Sequence, residues 1–409
     1  MSWPRLRSVG RKNTTTSTAT GPLEMTALRD NWEELARSIP MRSILWRQRP
    51  WEAEEFFATG REQVDRSMTT LSDLGIRPAG RALDFGCGIG RLTQALANQF
   101  DEVVGVDVAA PMIEQAKNYN RFGERCRYLV NATDDLRQFE NASFDFVFSV
   151  IVLQHVGTAL AMRYISEFVR VLRPGGVAMF QAPSEIVSTL PLAPSAIRAE
   201  LELIEPPLEG LENLPSASIV SLQIRVRNAS SLPWLPEHRI IVAGKWRDRD
   251  GRTVVDPEQG PRTPLTLGID AAASANIVAE VCLPSEPGPH VLEFDLHQVG
   301  HGWFAEQGSR PLAIPISVIG GVAPENTRAP GPEQPDRAVA ATPPPIEMHA
   351  VPRAEVLRIL QAGGAEPVAV LDDSSAGYEW VSFTYVAQKR SSGLRRWLRG
   401  AAGQRRMNS

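Results

Sequence analysis

Apolar positions along the chain change their period several times, and each period predicts a different architecture. Between residues 31 and 74 they return at helical spacing (Leu35, Ile39, Ile44, then Phe56, Phe57, Val64, Met68 and Leu71), which predicts two or three helices. Between 81 and 184 short apolar runs alternate with helical ones. Strands are predicted at 82–85, 103–108, 126–130, 144–152 and 177–181. Helices are predicted from Leu92, from Pro111, and over Leu160, Ile165, Phe168, Val169 and Leu172, the last stopping at Arg173-Pro174-Gly175-Gly176. This alternation calls for an α/β fold, a parallel sheet with helices on both faces.

After 184 the pattern changes. Residues 185–215 are rich in proline and leucine and show no clear period. From 219 to 318 the period is two: Val220, Leu222, Ile224 and Val226 alternate with Ser221, Gln223, Arg225 and Arg227. A run over 239–246 leads through Asp250-Gly251 into Thr253-Val254-Val255, a hairpin signal, and further strands are predicted at 277–283, 291–296 and 312–318. Together they predict an antiparallel β-sandwich of about 100 residues. Prolines at 324, 330, 332, 335, 343, 344 and 345 mark 321–345 as an extended linker. The helical period resumes at Val356, Leu357, Ile359 and Leu360, closes at Gly363-Gly364, and is followed by predicted strands at 367–371 and 380–387. One helix and two strands bury too little alone, so they are expected to complete an earlier domain. Residues 1–25 read as a disordered Thr/Ser-rich tail and 391–409 as a basic one.

Composition narrows the function classes. A length of 409 residues suggests two or three domains, and 43% hydrophobic with 22% charged residues suffices for sizeable cores. A formal net charge of -4 argues against a globally basic nucleic-acid binder, so no nucleic acid is expected as partner. No apolar run approaches the ~18 residues of a membrane span, and the first residues lack the apolar stretch of a secretory leader. Cys87, Cys126 and Cys282 are too widely spaced for a disulfide framework or a zinc cluster, so no metal is expected. A soluble, cytoplasmic protein is the expectation.

The densest chemical signal is Asp84-Phe85-Gly86-Cys87-Gly88-Ile89-Gly90, between a predicted strand and a predicted helix. Glycines there permit a tight turn and let a ligand approach where no β-carbon stands. Amides at the start of the helix favour a carboxylate or another anion. Asp107, ending the next predicted strand, is placed to accept hydrogen bonds from both hydroxyls of a ribose. These features describe a nucleoside-containing cofactor. Dinucleotide sites prefer G-x-G-x-x-G, whereas the spacing here is G-x-G-x-G with an acid two positions earlier. That acid repels pyrophosphate and suits an amino-acid ammonium, which favours S-adenosylmethionine over NAD.

Arg81-Ala82-Leu83-Asp84-Phe85-Gly86-Cys87-Gly88-Ile89-Gly90-Arg91-Leu92-Thr93 and Val104-Gly105-Val106-Asp107 resemble the first two motifs of class I S-adenosylmethionine-dependent methyltransferases of bacterial type. Phe144-Asp145-Phe146-Val147, Leu153-Gln154-His155 and Leu172-Arg173-Pro174-Gly175-Gly176 are similar to the family's later landmarks, in the same order. The resemblance covers roughly 30–184 and implies a Rossmann-like seven-stranded sheet with S-adenosyl-L-methionine as cofactor. It implies that Asp84 sits near the methionine ammonium, and that Gly86, Cys87, Gly88 and Gly90 line methionine and ribose. Asp107 would take the ribose hydroxyls, and Met112 would touch adenine. Where the family carries a Gly-Asp-Ala-like segment this chain has Asn131-Ala132-Thr133-Asp134-Asp135, which leaves Asn131 and Asp134 both as candidates for the adenine amino group. The family's sheet ends in a helix and an antiparallel strand pair, a pattern that 346–390 supplies. The expectation is therefore a discontinuous methyltransferase domain, 26–185 with 346–390, interrupted by an all-β immunoglobulin-like sandwich at 210–320 and the linker 321–345. Tandem domains with a separate tail are the alternative.

His155 follows the fourth predicted strand and is a candidate general base, since imidazole titrates near neutrality; the other reading is a structural hydrogen-bonder. Methyl transfer from a sulfonium is an in-line displacement, so positioning suffices for a nucleophilic acceptor, while a hydroxyl calls for a base. Trp234, Trp246 and Trp303, with His297 and His301, either stack on sugar rings or fill the sandwich core. The segment Trp303-Phe304-Ala305-Glu306-Gln307-Gly308 is similar to β-sandwich modules attached to polysaccharide-modifying proteins. The acceptor is expected to be an oxygen of a glycan or of a glycosylated or lipid-linked intermediate, or else a small molecule. Cys87 reads as a loop residue rather than a nucleophile. Arg395, Arg396 and Arg399 around Leu394, Trp397 and Leu398 offer either weak contact with anionic lipid or a solvated tail. The alternative function is a non-catalytic glycan-binding or scaffolding protein with a degenerate Rossmann-like domain. Oligomeric state is not legible.

Overall fold

A computed structural model describes residues 21–45, 51–216, 218–248, 251, 260–284, 286–320, 346–377 and 379–391. They fall into two units: 21–45, 51–186 and 346–391 belong to the first, and 187–320 to the second. The hairpin through 253–255, the proline-rich linker at 321–345, the N-terminal 1–20 and the basic 392–409 lie outside the described residues.

In the first unit three helices precede the sheet: α1 (Gly21–Ser38), α2 (Pro40–Ile44) and α3 (Ala53–Asp73). The strands and helices then alternate as β1 (Arg81–Phe85), α4 (Arg91–Leu96), β2 (Glu102–Asp107), α5 (Ala110–Tyr119), β3 (Cys126–Val130), β4 (Phe144–Ser149), α6 (Thr158–Val171) and β5 (Leu172–Ile186). Side chains such as Ala82, Leu83, Phe146 and Val147 are buried on both faces of the central strands, which is why these read as unbroken apolar runs. On α6 the stripe Leu160, Ile165, Phe168 and Val169 packs onto one face of the sheet, with Phe85 and Phe180. Residues 346–391 return to the same sheet as α7 (Arg353–Ala362), with the last two strands at Ala365–Asp373 and Trp380–Lys389. The strand at 380–389 lies antiparallel between β5 and the strand at 365–373, and the remaining order runs β5-β4-β1-β2-β3 with all neighbours parallel. Strand order reverses at β1, so the carboxyl ends of β1, β2 and β4 frame a crevice.

Several boundaries differ from the sequence expectation. Residues 21–25 are not tail but the start of α1, because Met25 is buried in the core and its sulfur accepts the Tyr164 hydroxyl at 3.7 Å. β5 runs on to Ile186 because the strand at 380–389 pairs with it along that length. β4 stops at Ser149: Val150-Ile151-Val152 is apolar because it walls a cleft, and Ile151 turns the chain with φ +56°.

The second unit begins before 210. Its strands are β6 (Ala199–Glu205), β7 (Leu214–Pro215), β8 (Ile219–Asn228), β9 (Ile240–Arg247), β10 (Arg262–Pro264), β11 (Ser274–Cys282), β12 (Gly288–Gln298), β13 (Gly302–Trp303) and β14 (Leu312–Ile319). Three of them, β11-β8-β6, form one sheet; β10-β9-β12-β14-β7, with β13 beside β12, form the other. One core joins both sheets, with Leu222, Ile224 and Val226 from β8 meeting Val242, Trp246, Phe294 and Ile316. β6 hides its two-residue period inside a proline-rich stretch: Leu201 and Leu203 face inward while Glu200 and Glu202 pair with Arg227 and Arg225. In chain order the two closing strands of the first unit are β15 (Ala365–Asp373) and β16 (Trp380–Lys389). No helix among the described residues is long and apolar enough to cross a membrane.

Candidate functional site

The glycine loop leaves β1 at Phe85 and passes through Gly86 (φ +75°) and Gly88 (φ +52°) before α4 begins at Arg91. The amides of Gly86 and Cys87 donate to the Val106 carbonyl at 2.8 and 2.9 Å, which fastens the loop to β2. A β-carbon on Gly86 would stand 2.4 Å from both methyls of Val152, so only glycine lets the loop lie against the segment after β4.

A cleft of about 850 Å³, its mouth included, opens beside this loop. Gly86, Cys87, Gly88, Asp107, Met112 and Asn131 line it. Asp107 accepts the Gly88 amide on Oδ2 and the Ala109 amide on Oδ1, each at 2.9 Å. Burial pushes its pKa up while those amides pull it down. Each carboxylate oxygen keeps a lone pair for a further donor, as a vicinal diol requires. Met112 is buried. Asn131 is held by Gln138, whose Nε2 donates to its Oδ1 at 2.9 Å, and its own Nδ2 donates to the Thr133 carbonyl at 3.2 Å. The Cys87 thiol is pushed well up by burial and points its hydrogen at the Gly88 carbonyl, a poor arrangement for a nucleophile.

Four expected site residues lie off the cleft lining. Asp84 is buried beneath the loop, where its Oδ2 accepts the Thr93 hydroxyl at 2.6 Å; burial raises its pKa to about 6. It anchors the first turn of α4, where a carboxylate is favoured. Gly90 is the N-cap of α4 and backs onto Tyr128. Asp134 is paired with Arg163 and, at 3.7 Å, with Arg137, beside a shallower depression that includes Met25 and Arg29.

His155 is the fourth. Its Nδ1–H donates to the Glu347 carbonyl at 3.0 Å, and its Nε2 accepts from Gln154 Nε2 at 3.0 Å. Both ring nitrogens are therefore engaged by neutral partners, and burial lowers the pKa to about 4. Trp32 packs against the ring with centroids 5.6 Å apart. This is the geometry of a structural hydrogen-bonder.

Arg91 carried no signal of its own in the sequence. It lines the cleft yet is only 2% exposed; its guanidinium donates to the neutral Thr59 hydroxyl and Gln63 side-chain oxygen, each at 3.3 Å, and the Asp84 carboxylate beneath the loop attracts it through space. Burial lowers its pKa to about 10. A buried cation whose hydrogen bonds go to neutral groups, with the Asp84 carboxylate already committed to Thr93, suits an anionic group entering the cleft. Leu28, Trp32 and Ile44 from the N-terminal helices, with Val150, Val152 and Val156, make the remaining wall apolar.

In the second unit Trp234 and Trp246 are fully buried, and Trp234 Nε1 donates to the Ala196 carbonyl at 2.8 Å. Trp303 carries the Lys245 ammonium 3.5 Å above its ring centroid. Trp234 and Trp246 present no ring face for sugar stacking, and Lys245 occupies one face of Trp303.

Residues 83–180 match the family model described as a methyltransferase domain. A ubiquinone biosynthesis O-methyltransferase of Xanthomonas campestris pv. campestris is 32% identical over 120 residues, 29% of this chain and 46% of that protein. A demethylmenaquinone methyltransferase of Staphylococcus aureus is 33% identical over 125 residues, 30% of this chain and 50% of that protein. The chain thus spans about half the length of these curated relatives. Among solved structures, an S-adenosylmethionine-bound amino pentose methyltransferase of Micromonospora echinaspora is 14% identical, with 83% of this chain and 97% of that chain covered at a TM-score of 0.35.

Proposed function

We propose that this chain is an S-adenosylmethionine-dependent methyltransferase whose cofactor occupies the cleft of the first unit. One observation carries the reading: the Asp107 carboxylate and the glycine loop, joined at 2.9 Å through the Gly88 amide, face one cleft within the stretch that matches the methyltransferase domain. The residues fit the group. Asp107 would hold the ribose hydroxyls, Met112 and Asn131 would meet adenine, and Arg91 with the loop amides would take the amino-acid carboxylate. When bound, the cofactor supplies a sulfonium methyl, an electrophile that needs no further activation. The chain's own part is to align an acceptor in line with that methyl and to keep water out, which the apolar wall of Leu28, Trp32, Ile44, Val150, Val152 and Val156 does.

For the acceptor we infer an oxygen, within the expected class of glycan, glycosylated or lipid-linked compounds. The apolar wall supports the lipid-linked member, and the O-methyltransferase names among the relatives support oxygen. With His155 engaged, the hydroxyl must release its proton without that imidazole, which favours a phenol-like hydroxyl over a sugar hydroxyl. We read the second unit as an immunoglobulin-like sandwich inserted after β5.

Calorimetric titration of the full chain with S-adenosylmethionine and, separately, NAD tests the cofactor. Binding of the first alone, lost in Asp107→Ala, is the expected result. Binding of NAD in its place overturns the reading, and binding of neither leaves a scaffold.

A further inference from the structure

Resting on that reading, we propose that Gln181 and Gln154 are positioning residues for the cofactor cleft, a buried pair of side-chain amides that sets the wall at 150–156 against the glycine loop. Gln181 is fully buried near the middle of β5 and Gln154 is 6% exposed. A polar side chain in the centre of a sheet is tolerated only when its hydrogen bonds are met. Here they are met by groups around the cleft. Gln181 Oε1 accepts the amide of Ile151 at 3.0 Å. Its Nε2 donates to Gln154 Oε1 at 3.2 Å and to the Ser382 hydroxyl at 2.7 Å. Gln154 Nε2 continues the chain to His155, and His155 to the Glu347 carbonyl.

Ile151 is what the chain of bonds controls. A β-branched residue at φ +56° is sterically disfavoured, and such a conformation persists only where the surroundings impose it. Its amide, turned inward, needs an acceptor, and Gln181 is that acceptor. Relaxing Ile151 toward extended backbone would move Val150 and Val152, which line the cleft, and Val152 is the residue packed on Gly86. Neighbouring bonds fasten the strap 346–351. The His349 amide donates to the Gln154 carbonyl at 2.7 Å, and the Thr158 hydroxyl to the Ala350 carbonyl at 2.7 Å. Cleft wall, β5, β16 and strap therefore share one polar core.

The test uses the full chain with Gln181→Met, which keeps the volume and removes the hydrogen bonds, and Ile165→Val as a control that loosens the core on the opposite face of the sheet, away from the cleft. S-adenosylmethionine affinity by calorimetry should weaken about tenfold in Gln181→Met and stay within about twofold in the control. Amide hydrogen exchange at Ile151 should quicken only in the former. Gln181→Glu, which keeps an acceptor for Ile151, should recover part of the affinity. If Gln181→Met does not fold, Gln154→Met, which removes the bond that holds the Gln181 amide in place, should weaken affinity and quicken exchange at Ile151 to a smaller extent. Unchanged affinity and unchanged exchange at Ile151 in the glutamine variants overturn the proposal. If the wild-type chain binds no S-adenosylmethionine, the function assigned above fails, while exchange at Ile151 still decides the role of the amides.

Discussion

Gly86 and Gly75 form a matched pair for measuring how closely the glycine loop meets the cleft wall. Both have φ +75°, but a β-carbon on Gly75 would meet nothing within 4 Å, whereas on Gly86 it would stand 2.4 Å from two methyls of Val152. Alanine at either position bears the left-handed backbone cost, about 1–2 kcal/mol. At Gly86 forced overpacking adds about 1–3 kcal/mol. Gly75→Ala should therefore lose about 1–2 kcal/mol and Gly86→Ala about 2–5 kcal/mol in urea unfolding followed by a signal from the first unit. Adding Val152→Ala to Gly86→Ala should recover most of the difference, because the truncated side chain leaves the new methyl room. Cofactor affinity should follow the same order, since Val152 pushed aside enters the cleft. Equal losses at Gly75 and Gly86, or no recovery with Val152→Ala, would refute the close approach on which this account of the loop rests.

Two further outcomes are expected. The half-buried His155 refuses a proton that the unfolded chain accepts, so stability should fall as pH drops from about 6.5 to about 4, and His155→Gln should flatten that slope. His297, lowered to about 4, and His238, also lowered, contribute in the same direction, while Asp84, raised to about 6, opposes them below pH 6. The informative quantity is the difference between variant and wild type, and identical pH slopes in urea unfolding would count against a half-buried neutral imidazole. A chain with 187–345 replaced by a short Gly/Ser linker should fold and retain S-adenosylmethionine binding in calorimetry. The Val351 amide already meets the Pro183 carbonyl at 2.8 Å and the Arg353 amide meets Ser184 Oγ at 3.0 Å, so the two ends lie side by side. Failure of that shortened chain to fold would show that the first unit depends on the second.

The sheet was readable because its strands are buried on both faces and its turns carry glycine or proline at fixed places. Asp107 was readable for the same reason, standing at the end of a strand one helix after the loop. Asp84 was harder: an acid ahead of three glycines looks like a ligand contact, and only the fold shows that Thr93 takes it first. The wall at 150–152 was misread as strand because an apolar run lining a cleft has the composition of one lining a core. β6 was missed because prolines before and after it masked a short alternation, Ala199 to Leu203, that breaks at Ile204. Gln181 left a signal that went unused, a single amide among Val177, Ala178, Met179, Phe180 and Ala182, which in a doubly covered strand must have buried partners. Arg91 left none, since its neutral hydrogen-bond partners come from α3, far away in sequence.

β5 has a consequence during synthesis. Its neighbour on one side, β4, precedes it at once, but its neighbour on the other, β16, is translated about 200 residues later. At roughly 5–20 residues per second the growing polypeptide leaves the ribosome for about 10–40 s with the full length of β5 open along one edge. A nascent chain in that interval is a substrate for chaperones and for wrong strand pairing. A stop codon before residue 380 would leave that edge open permanently.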